Sequence, residues 1–184
     1  MSRIVVVSGN PRSGSRTLAL ASAVGTAISE RVGGAISERV GRAISERVGG
    51  AISERVGGEA PSTVDVGELG AGLLVPGDPA TAAAVSALTE ADILVVATPT
   101  YKGSYTGVLK VLLDQLPARA LVGIRAVPVV TAGVPPQAAA AEDLLRRLLG
   151  ELGADVVDPG LAVVESDLGD SAAIAEKYAA GHDW

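Results

Sequence analysis

Ile4-Val5-Val6-Val7-Ser8 is a continuous apolar run that passes directly into the polar stretch Gly9-Asn10-Pro11-Arg12-Ser13-Gly14-Ser15-Arg16-Thr17. A short apolar run bounded by glycine and proline is typical of a strand buried on both faces, as in a parallel sheet. A helical pattern follows, so the hydroxyls and arginines of the polar stretch lie at a helix N-terminus. Unpaired N–H groups there attract phosphate. The sequence therefore predicts a strand, a phosphate-binding loop and a helix.

The polar stretch matches neither of two common phosphate-binding loops, and it has a simpler structural interpretation. It lacks the Gly-x-Gly-x-x-Gly pattern of dinucleotide-binding loops, and no Gly-Lys-[Ser/Thr] of a Walker loop occurs. An ordinary polar turn with a helix cap explains the same residues, because Ser and Thr cap helices anywhere. From these residues alone, both interpretations stay open.

The rest of the chain alternates apolar runs with helical patterns. Such alternation predicts an α/β three-layer sandwich, in which a five-stranded parallel sheet has helices on both faces. Ligands of these sheets bind at the carboxyl ends of the strands. Strands are predicted at 63–66, 92–97 and 126–131 and, as parts of one last strand region, at 154–157 and 161–164; helices are predicted at 79–90, 104–116, 137–152 and 171–180.

Residues 27–58 are four tandem copies of one octapeptide, three of which read AISERVGG. Removing three copies leaves one ordinary helix that ends at glycine. We therefore interpret about three copies as an insertion that extends the first helix, within a single domain of residues 1–184. We expect either one long projecting helix or short helices broken at glycine, with a loosely ordered loop as the alternative. We assign the repeat no ligand.

Composition excludes several kinds of site. The chain has 184 residues, is 48% hydrophobic and contains no cysteine and no phenylalanine, so its core must be aliphatic. The only histidine is His182, which argues against metal sites and catalytic triads that use histidine. The net charge of −6 argues against a nucleic-acid surface. No long apolar segment occurs, so we expect a soluble, cytoplasmic protein with no membrane contact.

Two further loops follow predicted strand ends, at residues 98–107 and 131–136. The first contains Tyr101 and Tyr105, two of the three tyrosines of the chain. A tyrosine offers a flat apolar face with a polar tip, and the nearby Pro99 and Gly103 favour a close backbone approach. Core filling near the helix start is the alternative for Tyr105.

Residues 8–17 and 96–117 together resemble the NAD(P)H-dependent FMN reductase family, and most of all the flavin reductases of two-component alkanesulfonate monooxygenase systems. The resemblance covers nearly the whole chain except the repeat. It implies a flavodoxin-like fold, FMN with NADPH or NADH as cofactors, and a homodimer or homotetramer. The chain has Ala132-Gly133 and Gln137 where the family often has Gly-Gly and His.

The resemblance also assigns site residues. Tyr105 matches a tyrosine that, in the alkanesulfonate-type members, lies in a π-bulge of the helix at the subunit interface. Main-chain N–H groups near 102–104 would hydrogen-bond the pyrimidine edge of the flavin. The FMN phosphate would be held by Asn10, Arg12, Ser15, Arg16 and Thr17; the isoalloxazine ring would be lined by Pro99, Thr100, Tyr101, Lys102, Gly103 and Ser104 and closed on its far side by Thr131, Ala132 and Gly133.

The implied reaction is hydride transfer from NAD(P)H to FMN, with reduced flavin supplied to a monooxygenase partner. Because the cofactors carry this chemistry, no catalytic side chain and no metal are expected. One alternative is a reductase of quinones, azo dyes or oxyanions that keeps its flavin. Another is a flavodoxin-like electron carrier without NAD(P)H turnover. In a third, the repeat disturbs the first helix and weakens flavin binding.

Overall fold

The computed structural model describes residues 2–48 and 60–184, with side chains placed for 2–35 and 60–184. Strands and helices alternate along it, as the sequence predicts. The strands are β1 (Ile4–Ser8), β2 (Ser62–Asp65), β3 (Ile93–Pro99), β4 (Arg125–Ala132), β5 (Asp155–Val156) and β6 (Leu161–Val164). The helices are α1 (Arg16–Val48), α2 (Val66–Leu69), α3 (Pro79–Thr89), α4 (Gly107–Leu113), α5 (Pro135–Glu151) and α6 (Ser171–Ala180), together with the 3-10 helices Gly70–Leu74 and Glu165–Asp170.

The sheet is parallel and has five strand positions, as predicted. Its order is β2-β1-β3-β4-β5, and β6 also pairs with β4. β5 lies beside the start of β4 and β6 beside its end, where Ala132 pairs with Val164. The fifth position is therefore occupied by two short strands in succession.

Helices cover both faces of the sheet, so the predicted three-layer arrangement is confirmed. Successive side chains of a strand point to opposite faces. In β1, Val5 and Val7 pack in one core cluster, and Ile4 and Val6 in the other. Helices α3, α4 and α5 cover the first face and α1 and α6 the second, with largely aliphatic contacts: Leu88, Leu109 and Leu145 in the first cluster, and Leu20, Ile28 and Ala175 in the second.

Helix α1 continues from Arg16 to Val48 without a break, and at about 1.5 Å per residue it is about 50 Å long. It therefore passes through Gly33 and Gly34, where the cost of about 1 kcal/mol per glycine does not end it. The expectation of one long helix is confirmed for the first two octapeptides and most of the third. The fourth copy, residues 51–58, lies outside the described residues. The insertion itself stays a prediction.

Within the described ranges, no helix taken singly has the length and apolar composition needed to cross a membrane. The pair Val66–Leu74 and Pro79–Thr89 meets those requirements only when its two parts are taken together, and these are inclined to each other by 118°. Thr81, Ala84 and Leu88 of the second part are buried.

Candidate functional site

Three loops leave the same edge of the sheet, after β1, β3 and β4. The strand ends are neighbours, because Ser8 pairs with Ala97 and Pro99 pairs with Thr131. The fold thus brings together the three segments that the sequence analysis singled out. We call them the first loop (residues 9–15), the second loop (residues 100–106) and the third loop (residues 131–134, which include the end of β4).

The first loop is held in shape by its own side chains. The Oδ1 atom of Asn10, a residue that is 8% exposed, accepts a hydrogen bond from the Arg12 N–H at 3.0 Å. The Ser15 Oγ accepts from the Leu18 N–H at 3.2 Å and so caps the first turn of α1. Arg12 itself is exposed. The helix-cap interpretation of Ser15 is therefore correct, and it leaves the neighbouring N–H groups available.

Asp65, at the end of β2, is a residue holding the first loop that the sequence analysis missed. Its carboxylate is 7% exposed and accepts hydrogen bonds from Gly14 N–H at 2.9 Å and from Gly67 N–H at 3.2 Å. It thereby anchors the first loop to the start of α2. An acidic residue at the end of a strand adjacent to β1 was the available signal, but recognising it requires the pairing of Ser8 with Asp65.

The second loop is a tight turn with an exposed tip. Tyr101 N–H donates to Ser104 O at 3.0 Å, and the two residues between have positive φ, 55° at Lys102 and 83° at Gly103. These angles match a type I′ turn. A lysine at positive φ is uncommon, and such residues cluster at functional sites. Tyr101 beside the tip is 46% exposed, so its ring is available for contact.

Threonine side chains tie the three loops together. Thr131 O accepts from Thr100 N–H at 2.8 Å and from the Thr100 hydroxyl at 3.1 Å. The hydroxyls of Thr131 and Thr17 are hydrogen-bonded at 2.9 Å, which links the third loop to α1. The Thr106 hydroxyl donates to Gly9 O and links the second loop to the first. The loops therefore form one connected unit.

The residues predicted to bind ligand differ in exposure, and this separates two roles. Buried members hold the loops in place, whereas exposed ones have surface to offer a ligand; direct ligand contacts of all of them stay predictions. The buried set is Asn10, Thr17, Pro99, Thr131 and Ala132; the half-buried set is Ser15, Thr100 and Ser104; the exposed set is Arg12, Arg16, Tyr101, Lys102, Gly103 and Gly133.

The expectation of a π-bulge at Tyr105 is wrong for this structure. Helix α4 begins at Gly107 and not at residue 104, because the Thr106 side chain caps it by accepting from Leu109 N–H at 3.2 Å. Tyr105 therefore lies in the second loop, ahead of the helix. It is half-buried and packs against the core cluster under α3, α4 and α5, which agrees with the core-filling alternative. Its place at a subunit interface stays a prediction.

The residues present fit a phosphorylated flavin. Within the part of the chain that the structure describes, the N–H groups of Ser15, Arg16 and Thr17 make no hydrogen bond. They lie at the positive end of a long helix, which suits an anion. The main chain at Gly103 in the second loop and at Gly133 in the third loop is uncrowded, because a Cβ added at either position would meet nothing within 4 Å.

Comparison with known proteins identifies the family of this chain. A family model described as "NADPH-dependent FMN reductase" matches residues 2–168. An FMN reductase (NADPH) of Escherichia coli is 41% identical over 81 residues, which are 44% of this chain and 42% of that protein. The NADH-dependent FMN reductase SfnF of Pseudomonas fluorescens is 34% identical over 88 residues, 48% of this chain and 47% of its own length. The matched segments span 41% to 50% of the curated relatives.

Solved structures show the same fold over more of the chain. The apo form of an NADH:FMN oxidoreductase has a TM-score of 0.72 and 29% identity, with 98% of this chain and 88% of that chain covered. An archaeal flavodoxin has a TM-score of 0.55 and 16% identity, with 97% of each chain covered. The fold is therefore flavodoxin-like, as the family resemblance implies.

Proposed function

Because this chain belongs to the NADPH-dependent FMN reductase family, we propose that it is an NAD(P)H:FMN oxidoreductase. In this function a hydride passes from the nicotinamide of NADPH or NADH to FMN. The observation that carries the proposal is the connected unit of three loops, with free N–H groups at the start of α1. The curated relatives named FMN reductase support the same activity.

The first loop and the start of α1 would bind the phosphate. The N–H groups of Ser15, Arg16 and Thr17 lie together at the N-terminus of α1. The exposed Arg12 makes no ion pair within the described ranges. Asp65 keeps the loop in place through Gly14 N–H. Arginine and main-chain N–H groups together are a typical phosphate-binding combination.

The second and third loops would orient the ring. The second loop offers the exposed Tyr101 and the uncrowded main chain at Gly103, and the third loop offers Gly133 after the end of β4. Bound FMN supplies the hydride acceptor, so the protein has to align two rings and exclude water from between them. A general acid or base is not needed for that step.

The proposal extends to the domain organisation, oligomeric state, location and partner of this chain. We propose one domain over residues 1–184, a homodimer or homotetramer, a cytoplasmic location, and a flavin-dependent monooxygenase that consumes the product. The relative named NADH-dependent FMN reductase SfnF supports FMN as the flavin that is reduced. Reduced FMN reacts with oxygen, so a reductase of this kind needs a partner that uses reduced flavin.

The activity is tested by oxidation of NADPH or NADH by the purified protein, with and without added FMN. We expect the nicotinamide absorbance to fall only when FMN is present, because the protein supplies binding and orientation and FMN the redox chemistry. Flavin that stays on the protein through gel filtration and passes electrons to a quinone would favour the quinone reductase alternative. No oxidation of either nucleotide with FMN present would contradict the proposal.

The repeat is expected to have no effect on flavin binding. Deleting residues 35–58 joins Gly34 to Glu59 and removes three octapeptides. Gly34 is 18 residues along α1 from Arg16, or about 27 Å at 1.5 Å per residue. The buried positions of α1 that contact the sheet, such as Leu20 and Ile28, precede the deletion. FMN titration of both forms should give equal affinities; tighter binding after the deletion would show that the repeat disturbs the first loop.

A further inference from the structure

Arg16, the first residue of α1, is held by a carboxylate from a distant part of the chain. Its Nη2 atom lies 2.7 Å from Oε2 of Glu165, and its Nη1 donates to the Glu165 main-chain oxygen at 3.4 Å. The side chains of Arg16 and Glu165 are 66% and 49% exposed. Both terminal nitrogens of the guanidinium are thus directed to one residue.

Glu165 is held in place on both sides. It follows β6, whose last residue Val164 pairs with Ala132 at the end of β4. On its other side, Leu168 is 8% exposed and anchors the 3-10 helix Glu165–Asp170 in the core cluster under α1 and α6. The main chain at Glu165 is therefore held near the start of α1, within reach of Arg16.

A carboxylate binds a guanidinium in the same way as a phosphate does, with charged oxygens that accept from the two nitrogens. Of the two arginines predicted to bind the FMN phosphate, Arg12 has no such partner in the described part of the chain, whereas Arg16 does. A phosphate at the first loop must either share Arg16 with Glu165 or take it away. In both cases the negative charge of Glu165 opposes the entering dianion.

We propose that Glu165 competes with the flavin phosphate for Arg16 and so lowers the affinity of this protein for FMN. The proposal rests on the function proposed above and deepens it. It makes Glu165 a specificity-determining residue, because riboflavin has no phosphate and escapes the competition. A lowered affinity for FMN suits a protein that exchanges its flavin instead of keeping it.

The test compares FMN and riboflavin in the full-length protein. Glu165→Gln keeps the size of the side chain and removes its charge. We expect it to lower the Kd for FMN about 5-fold, the range that a partly exposed ion pair allows, and to leave the Kd for riboflavin unchanged. Quenching of flavin fluorescence, measured without nicotinamide, gives both constants. Glu165→Asp, which withdraws the carboxylate from Arg16, should change FMN binding in the same direction.

Asp167→Asn is the matched control, because it removes one charge from the same 3-10 helix. Asp167 accepts a hydrogen bond from the Ser166 hydroxyl at 2.9 Å and, in the described part of the chain, forms no hydrogen bond or ion pair with Arg16. It should leave FMN affinity unchanged. In an Arg16→Gln background, which itself weakens FMN binding, adding Glu165→Gln should have much less effect.

Three results would overturn the proposal: unchanged FMN affinity in Glu165→Gln, weaker FMN affinity, or equal tightening in Asp167→Asn. Weaker binding would mean that Glu165 positions Arg16 for the phosphate. These titrations contain no NADPH, so absence of NADPH oxidation would contradict the proposed activity while leaving the competition testable. If the wild type binds no FMN but Glu165→Gln does, the competition is supported.

Discussion

Replacing Thr106 with valine is expected to lower the free energy of unfolding by about 3 kcal/mol. Thr106 is 2% exposed, and its hydroxyl donates to Gly9 O and accepts from Leu109 N–H at 3.2 Å. Valine has nearly the same shape but cannot make either hydrogen bond. Loss of a helix cap costs about 1 kcal/mol, and a buried carbonyl left without a partner costs about 1–3 kcal/mol.

Urea unfolding measures this loss, and the melting temperature should fall by roughly 6–12 °C, at 2–4 °C per kcal/mol for a chain of this size. Thr106→Ser is the matched control, because serine keeps the hydroxyl and loses only a methyl group. The serine variant should retain most of the stability that valine loses. Equal losses in the two variants would show that packing, and not the hydroxyl, makes Thr106 important.

Replacing Gly67 with alanine is expected to raise the Kd for FMN by about 10- to 100-fold. A Cβ at Gly67 would lie 2.7 Å from Ser13 N and 3.1 Å from both Arg12 C and Asn10 O, all of them main-chain atoms of the first loop. The loop therefore has to move away from α2. Overpacking of this kind costs about 1–3 kcal/mol, and each 1.4 kcal/mol is a tenfold change in affinity.

FMN and riboflavin titrations of the Gly67→Ala variant measure the effect, which should be larger for FMN because the first loop is assigned to the phosphate. Gly150→Ala on α5 is the control, since a Cβ there meets nothing within 4 Å and the position is exposed. It should bind FMN as the wild type does and gain up to about 1 kcal/mol in stability. Wild-type FMN affinity in Gly67→Ala would argue against a phosphate site at the first loop.

The order of elements was predictable because it depends on local patterns. The continuous apolar runs at 4–8, 93–97 and 126–130 have the length and flanking residues typical of strands buried on both faces, and such strands alternate with helices in a parallel sheet. Helix ends were less predictable. The sequence predicts that this helix begins at residue 104, whereas the Thr106 cap places its start at Gly107, and the bond from Thr106 to Gly9, 97 residues away, accompanies that start.

The residues of the candidate site also include some that could be predicted from the sequence and some that could not. Arg12, Ser15 and Tyr101 were predictable, because loops with hydroxyls, arginines and a tyrosine after apolar strands are visible in the chain itself. Asp65, Gly67 and Glu165 were not, since each acts on the first loop or Arg16 from a sequence distance of about 50 or more residues. No local spacing encodes such contacts.

The sequence by itself thus determined the parallel α/β architecture and the three loops that carry the candidate site, because apolar periodicity and loop composition are local properties; the family followed from the resemblance of residues 8–17 and 96–117 to its motifs. Only the tertiary structure decided which contacts hold these loops in place and which carboxylates lie beside them. The pairing of β1 with β2 brings Asp65 to Gly14, and the pairing of β4 with β6 brings Glu165 to Arg16. Those contacts arise from strand register, which places distant residues at one edge of the sheet.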